Sequence, residues 1–267
     1  MATLIVDTPA LNFRSEPVVA SETLIGTVYL GQRVTRARPA DEEGWYQCNA
    51  VIEGEEVSGF VSGKFLRERL SKNRERLVAS VHDQWMRFKR GAGKEHHHPY
   101  ADYVGEMWQA IGIHLDGTDR DQPWSAAAIS FFVRKSGSKY RKFKFAAAHS
   151  KFVHHAINAR FDKDDSVPFW GYRLDEIRPE IGDIICRDNP SYAPEVDFEI
   201  ARHQNAYRSH TDVIMHIDRD AGKIYAIGGN VSHSVKIAMY DLTHGNYAAD
   251  TRHTFALLKN ITDGTPD

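Results

Sequence analysis

The sequence predicts a small all-β barrel followed by a larger α+β domain. Over residues 1–68, short apolar runs alternate with Gly- and Pro-centred breaks, and no helical period appears. From residue 69 onward, apolar residues recur at helical spacing, and strand-like runs then alternate with helix-like ones. A length of 267 residues suits two such domains.

Hydrophobic residues make up 42% and charged residues 26%, as in an ordinary globular protein. A net charge of −2 lacks the cationic excess of bulk nucleic-acid binding, so no nucleic-acid partner is expected. The two cysteines, Cys48 and Cys186, fall in different domains, which argues against a disulfide framework or a cysteine zinc site. Fourteen histidines keep a His-based metal site in consideration. The start, Met1 to Asp7, has neither a positive segment nor a long apolar run, and no later stretch is long enough to span a bilayer. The expectation is a chain made in the cytoplasm without a signal peptide or a membrane span.

In residues 1–68 the strand-like runs are Leu4–Val6, Leu11–Arg14, Ile25–Leu30, Arg33–Ala37, Trp45–Cys48 and Ser58–Val61. Breaks fall at Glu16-Pro17, Gly31-Gln32, Pro39 to Gly44, and Gly54. Close spacing with such punctuation indicates a small barrel. The succession Leu11-Asn12-Phe13-Arg14, Gly26, Leu30-Gly31, Gly44-Trp45-Tyr46 and Gly59-Phe60-Val61 resembles the bacterial SH3 domain. That resemblance implies an SH3-like barrel binding cell-wall peptide or polysaccharide. Trp45 and Tyr46 are the candidate aromatic recognition surface; strand alternation assigns at least one of them to the barrel core.

Residues 69–95 read as a linker helix, with Leu70, Leu77, Val78, Val81, Trp85 and Phe88 at helical spacing and a break at residues 90–94. The α+β domain is then residues 96–267. His96, His97 and His98 are consecutive, and alternate directions make three adjacent histidines a poor chelate for one metal. A polar stretch from Asp116 ends at Pro123-Trp124-Ser125, and an apolar helix rich in small residues follows until Gly137. Ser125 therefore sits at or near the first turn of a buried helix. Free amides and the helix dipole there stabilise an anion, which suits a nucleophile and an oxyanion. A serine in that place also suits a helix cap.

Further on, residues 181–187 read as a strand, and His210 opens another that returns through a turn at residues 218–222 to Gly228-Gly229-Asn230. Such a hairpin places His210 and Asn230 near each other. The order of helix-start nucleophile, strand histidine and polar residue is similar to the NlpC-type and CHAP-type amidases of the papain-like superfamily. By that resemblance Ser125 takes the nucleophile place, His210 the base and Asn230 the orienting residue. The resemblance departs at the nucleophile, where this chain has Ser instead of Cys and so depends more on its base and oxyanion donors. The stretch from Tyr103 to Leu257 also resembles a family named domain of unknown function 2272. Pro123–Ala127, Ala148-His149-Ser150, Phe169–Tyr172, Gly182–Arg187, His210-Thr211-Asp212 and Gly228–Ser232 carry that match.

Other assignments stay open. Asp212 shares a strand face with His210 and can orient it in place of Asn230. His149, His210 and Asp212 can alternatively hold a zinc ion that activates water. Cys186, between apolar residues, reads as a buried structural thiol. Trp124 and Arg187 join Trp45 and Tyr46 as candidate substrate contacts, Arg187 through a substrate carboxylate.

The expected function is a peptidoglycan amidase or endopeptidase with a Ser-His-polar site and no cofactor. Zinc-dependent hydrolysis and a non-enzymatic wall-binding module are the alternatives. The resemblances imply a phage lysin released by lysis or an antibacterial effector exported by a dedicated machine, with an immunity or secretion partner.

Overall fold

The computed structural model describes residues 2–189 and 195–266. The chain divides into two compact units, residues 1–72 and 73–267. The first is β-rich and the second mixes helices with one sheet.

In the first unit the strands are β1 (Ala2–Val6), β2 (Ala10–Arg14), β3 (Leu24–Tyr29), β4 (Arg33–Pro39), β5 (Trp45–Ile52), β6 (Glu55–Ser62) and β7 (Leu66–Arg67). Every strand-like run of the sequence lies within or overlaps one of them. The β5–β6 hairpin turns through Glu53 and Gly54, both at positive φ (52° and 92°), the geometry a two-residue hairpin loop demands. The apolar alternation buries Val6, Leu11, Phe13, Val28, Val34, Cys48, Ala50 and Val61 in one core. The strand order is β3-β2-β6-β5-β4-β1-β7. Among the described residues no ladder joins β3 to β7, so the pairing does not close the expected barrel. Register irregularities at residues 2–4, 13–14 and 35–38 interrupt the ladders.

The second unit opens with α1 (Lys72–Arg87), which buries Leu77, Val78, Val81 and Trp85. Residues 73–95 of the expected linker helix fall within the second unit. The Arg74 guanidinium bonds the buried Asp183 carboxylate at 3.0 Å and the Asn260 carbonyl at 2.6 Å, making α1 part of the second unit. Then come α2 (Tyr100–Gln109), α3 (Ser125–Lys135), α4 (His149–Phe161), β8 (Phe169–Tyr172), β9 (Ile184–Asp188), α5 (Phe198–His203), β10 (Ser209–Asp218), β11 (Lys223–Gly228), β12 (Lys236–Asp241) and β13 (Thr254–Asn260). The sheet order is β12-β11-β10-β9-β13-β8, and every pairing is antiparallel. Helix α3 lies against β10 and β11, and α4 against β8, β10 and β13. On β10, Thr211 faces the same way as its partner Cys186, while His210 and Asp212 share the opposite face with Arg187 and Ile185. No helix among the described residues is long and apolar enough to cross a membrane.

Candidate active site

Two helix starts and the head of one strand converge. Helix α3 begins at Ser125, with Trp124 as the flanking residue (φ −90°, ψ 5°). Ser125 is therefore the first helical residue and not the cap, and no side chain caps this helix. The first backbone bond runs from Ala128 N–H to the Trp124 carbonyl at 2.9 Å, so the amides of residues 125–127 precede the ladder. Helix α4 begins at His149, after extended Ala148 (φ −132°, ψ 131°).

The Ser125 hydroxyl and His149 Nε2 lie 2.7 Å apart, and both residues are buried. His149 Nδ1 lies 2.8 Å from Thr211 Oγ1. With Nδ1 carrying the proton, Ser125 O–H donates to Nε2 and Nδ1–H donates to Thr211 Oγ1. Burial first, then the neighbouring His210 and Arg187, hold His149 well below the usual histidine range; Asp212 pulls the other way. His149 is thus a neutral imidazole at neutral pH, able to accept a proton. Its place in the first turn of α4 also disfavours the imidazolium.

A second cluster occupies the other face of β10. His210 Nε2 lies 2.9 Å from Asp212 Oδ1, and the Tyr240 hydroxyl donates to Asp212 Oδ2. Asp212 is fully buried. Burial raises its carboxyl, but the His210 charge and hydrogen bond, Arg187 and Tyr240 outweigh that and bring it down to about 2. The two clusters approach each other: the His149 and His210 rings have centroids 5.2 Å apart, tilted by 51°.

Glycine makes room for this. Register places Val213 opposite Ile227, so Gly228 falls opposite Asp212. A Cβ on Gly228 would stand 1.8 Å from Asp212 Oδ1 and 3.1 Å from His210 Nε2. A Cβ on Gly229 would stand 2.3 Å from the Ala128 methyl and 2.7 Å from the Trp124 ring.

The structure therefore brings together Ser125, His149, His210 and Asp212, but in a different pairing from the expected one. The serine meets His149, and the carboxylate that orients His210 is Asp212. Asn230 is not the orienting residue among the described contacts. The strand β11 ends at Gly228, and Asn230 turns into a left-handed conformation (φ 57°) before it can lie flat opposite His210.

The expected substrate contacts divide. Trp124 is only 2% exposed; it stacks on Phe88 (centroids 5.7 Å apart) and donates its indole N–H to Glu95, so it is a wall of the site and not a substrate platform. Arg187 is half-buried opposite His210, and its Nε has no hydrogen-bond partner among the described residues. In the first unit, Tyr46 packs on the core and a Cβ on Gly63 would stand 2.7 Å from its ring, while Trp45 is half-buried. Cys186 is fully buried and burial pushes its thiol far up, so it is no nucleophile.

A zinc site on His149, His210 and Asp212 does not fit this arrangement. Both His149 nitrogens, His210 Nε2 and both Asp212 oxygens are engaged with neighbouring protein groups. Among the described residues, no group of three or more His, Cys, Asp or Glu side chains is placed to hold a metal.

Sequence reasoning missed Thr211 and Tyr240. Thr211 stands between His210 and Asp212, but alternation points it to the opposite face, where only the placement of α4 gives it a partner. Tyr240 reads as an ordinary strand aromatic.

No curated protein matches the chain. A profile of a bacterial family matches residues 85–256, a span that includes Ser125, His149, Thr211, Asp212 and Tyr240. The chain belongs to the family DUF2272, described as uncharacterized proteins conserved in bacteria.

Proposed function

We propose that this protein is a serine-dependent hydrolase of cell-wall peptides, an amidase or endopeptidase acting on peptidoglycan. The observation that supports it most is the 2.7 Å contact between Ser125 Oγ and His149 Nε2 at the meeting of two helix starts, with Thr211 behind the imidazole. In this reading His149 Nε2 takes the hydroxyl proton as Ser125 Oγ attacks the amide carbonyl carbon. The negative oxygen faces the amides that precede the α3 ladder. Collapse breaks the C–N bond, and the amine leaves with the proton from His149. Water then attacks the ester, giving its proton to His149, and the serine is released.

The His210–Asp212 pair complements this chemistry. Thr211 orients His149 but carries no charge, so the nearby Asp212 carboxylate is what favours the imidazolium. Arg187, half-buried opposite His210, is the proposed receptor for a substrate carboxylate such as stem peptides carry. In the same reading the N-terminal sheet is an SH3-like wall-binding module with the half-buried Trp45 at its surface and Tyr46 packed on its core, and the second unit is a papain-like domain of the NlpC or CHAP type with serine in the cysteine's place.

The test is digestion of purified peptidoglycan with mass analysis of the products, for the wild type and Ser125→Ala. New amine termini produced by the wild type and absent with the variant are expected. Equal digestion by both overturns the serine mechanism, and loss of wild-type activity on chelation revives a metal mechanism.

A further inference from the structure

Glu95 is a buried acid that the proposed chemistry does not use. It lies in the stretch between α1 and α2, only 6% exposed. One carboxylate oxygen accepts the indole N–H of Trp124. The other lies 2.9 Å from Nδ1 of His233, whose side chain is 67% exposed. Burying a carboxylate is costly unless it is bonded, and these two partners satisfy one oxygen each.

What surrounds Glu95 is a clamp between two loops. The Glu95 amide donates to the His233 carbonyl at 3.0 Å, Lys94 Nζ to the Ser232 carbonyl at 2.9 Å, and Ser234 Oγ to the Gly93 carbonyl at 2.6 Å. The clamped loop holds three non-glycine residues in left-handed conformations: Asn230 (φ 57°), Ser232 (φ 52°) and His233 (φ 62°). Such conformations are strained for residues with a side chain and persist only where surrounding contacts over-determine them. At the loop's base, Gly229 abuts the Trp124 ring and Ala128, and Gly228 abuts Asp212 and His210. Trp124 is thus gripped by Phe88, by Gly229 and by Glu95, and the next residue is Ser125.

We infer that Glu95 is a positioning residue: through the Trp124 indole and the strained 229–234 loop, it fixes the start of α3 so that Ser125 meets His149. This rests on the proposed role of Ser125, but its structural part can be measured without catalysis. A displacement of about 1 Å at the nucleophile is enough to cost about 100-fold in rate.

The test compares Glu95→Leu and Glu95→Gln in the full chain. Gln keeps an acceptor for the indole and a group to face His233; Leu keeps the bulk and removes both bonds. Two readouts are taken on variants with unchanged far-ultraviolet dichroism: the rate at which a fluorophosphonate labels Ser125, and the nitrogen-15 shift of His149 Nε2, which reports its hydrogen bond. The expected result is labelling about 100-fold slower and a shifted His149 Nε2 signal in Glu95→Leu, with both restored to near wild type in Glu95→Gln. Wild-type labelling and an unmoved His149 signal in Glu95→Leu overturn the inference. If the wild type itself is not labelled, the nucleophile assignment fails, and the His149 signal alone decides: moved in Leu and restored in Gln upholds the clamp, unmoved overturns it. If Glu95→Leu does not fold, site-specific replacement of Trp124 by 3-benzothienylalanine, which keeps the bicyclic ring and removes the indole N–H, takes its place with the same expected loss and the same overturning result.

Discussion

Ser125 Oγ and His149 Nε2 lie 2.7 Å apart although 24 positions separate the residues in the chain, and each is the first residue of its helix. That contact places a hydroxyl and a neutral imidazole in a buried, amide-lined corner. It also specifies what should happen when either member changes.

Ser125→Ala and His149→Gln are each expected to lower hydrolysis by at least about 1,000-fold, and the double variant by no more than the worse single one, because the two act as a unit. Steady-state rates on a peptidoglycan-derived peptide check this. Additive losses would mean that the two side chains act independently.

Thr211→Val keeps the size of the side chain and removes the acceptor for His149 Nδ1–H. A buried donor left unpaired costs about 1–3 kcal/mol, so kcat should fall by roughly ten- to hundredfold with KM little changed. Thr211→Ser should restore most of the rate. Similar activity in Val and wild type would remove Thr211 from the site.

Gly228→Ala forces a methyl to within 1.8 Å of the Asp212 carboxylate and 3.1 Å of His210 Nε2. Overpacking of this kind costs about 1–3 kcal/mol or more, which corresponds to a melting temperature roughly 2–12 °C lower for a unit of this size. Gly222→Ala is the comparison: nothing lies within 4 Å of its added methyl, although its φ of 64° strains any side chain. Calorimetry on both separates crowding at the site from backbone strain.

Stability should also fall in acid, in two stages. His149 is held neutral, mainly by burial, whereas the unfolded histidine takes a proton below about 6.5. The unfolded chain therefore binds more protons there, and stability that is present above about pH 6.5 is lost as pH falls. Asp212 is depressed to about 2, with the His210 charge and hydrogen bond overcoming the burial that opposes it. Its contribution is present above about pH 4 and is lost as pH falls from there towards 2. Melting temperatures across pH 3–8 check this: His149→Gln should flatten the upper stage and leave the lower one.

Cys186 offers a simpler check. Its thiol is fully buried and pushed far up by burial. Native protein should resist iodoacetamide at this position, and modification should appear only when the second unit unfolds. Rapid native alkylation would show an access path that the packing of β9 does not allow.

Much of this molecule was readable in its residues. The strand runs of residues 1–68, the amphipathic α1, the start of α3 at Pro123-Trp124-Ser125 and the β10–β11 hairpin all follow from local periodicity and turn chemistry. These signals act within a few residues. So did four of the side chains that meet at the site, Ser125, His149, His210 and Asp212, because each sits at an element boundary or on a strand head where chemistry is commonly placed.

The pairing among them was not local. Which imidazole meets Ser125 depends on where α4 lands on the sheet, and that is set by packing between elements far apart in sequence. A register rule alone places Asn230 opposite His210, yet the tertiary clamp on residues 229–234 turns the chain out of the strand before that pairing forms. The alternation of β10 told that Thr211 and Asp212 face opposite ways; only the helix on one side and Tyr240 on the other gave each a partner. Sequence by itself determined the elements and the reactive groups at their ends. Tertiary structure decided which of those groups touch, because contact requires the packing of whole helices against the sheet and no short-range preference encodes it.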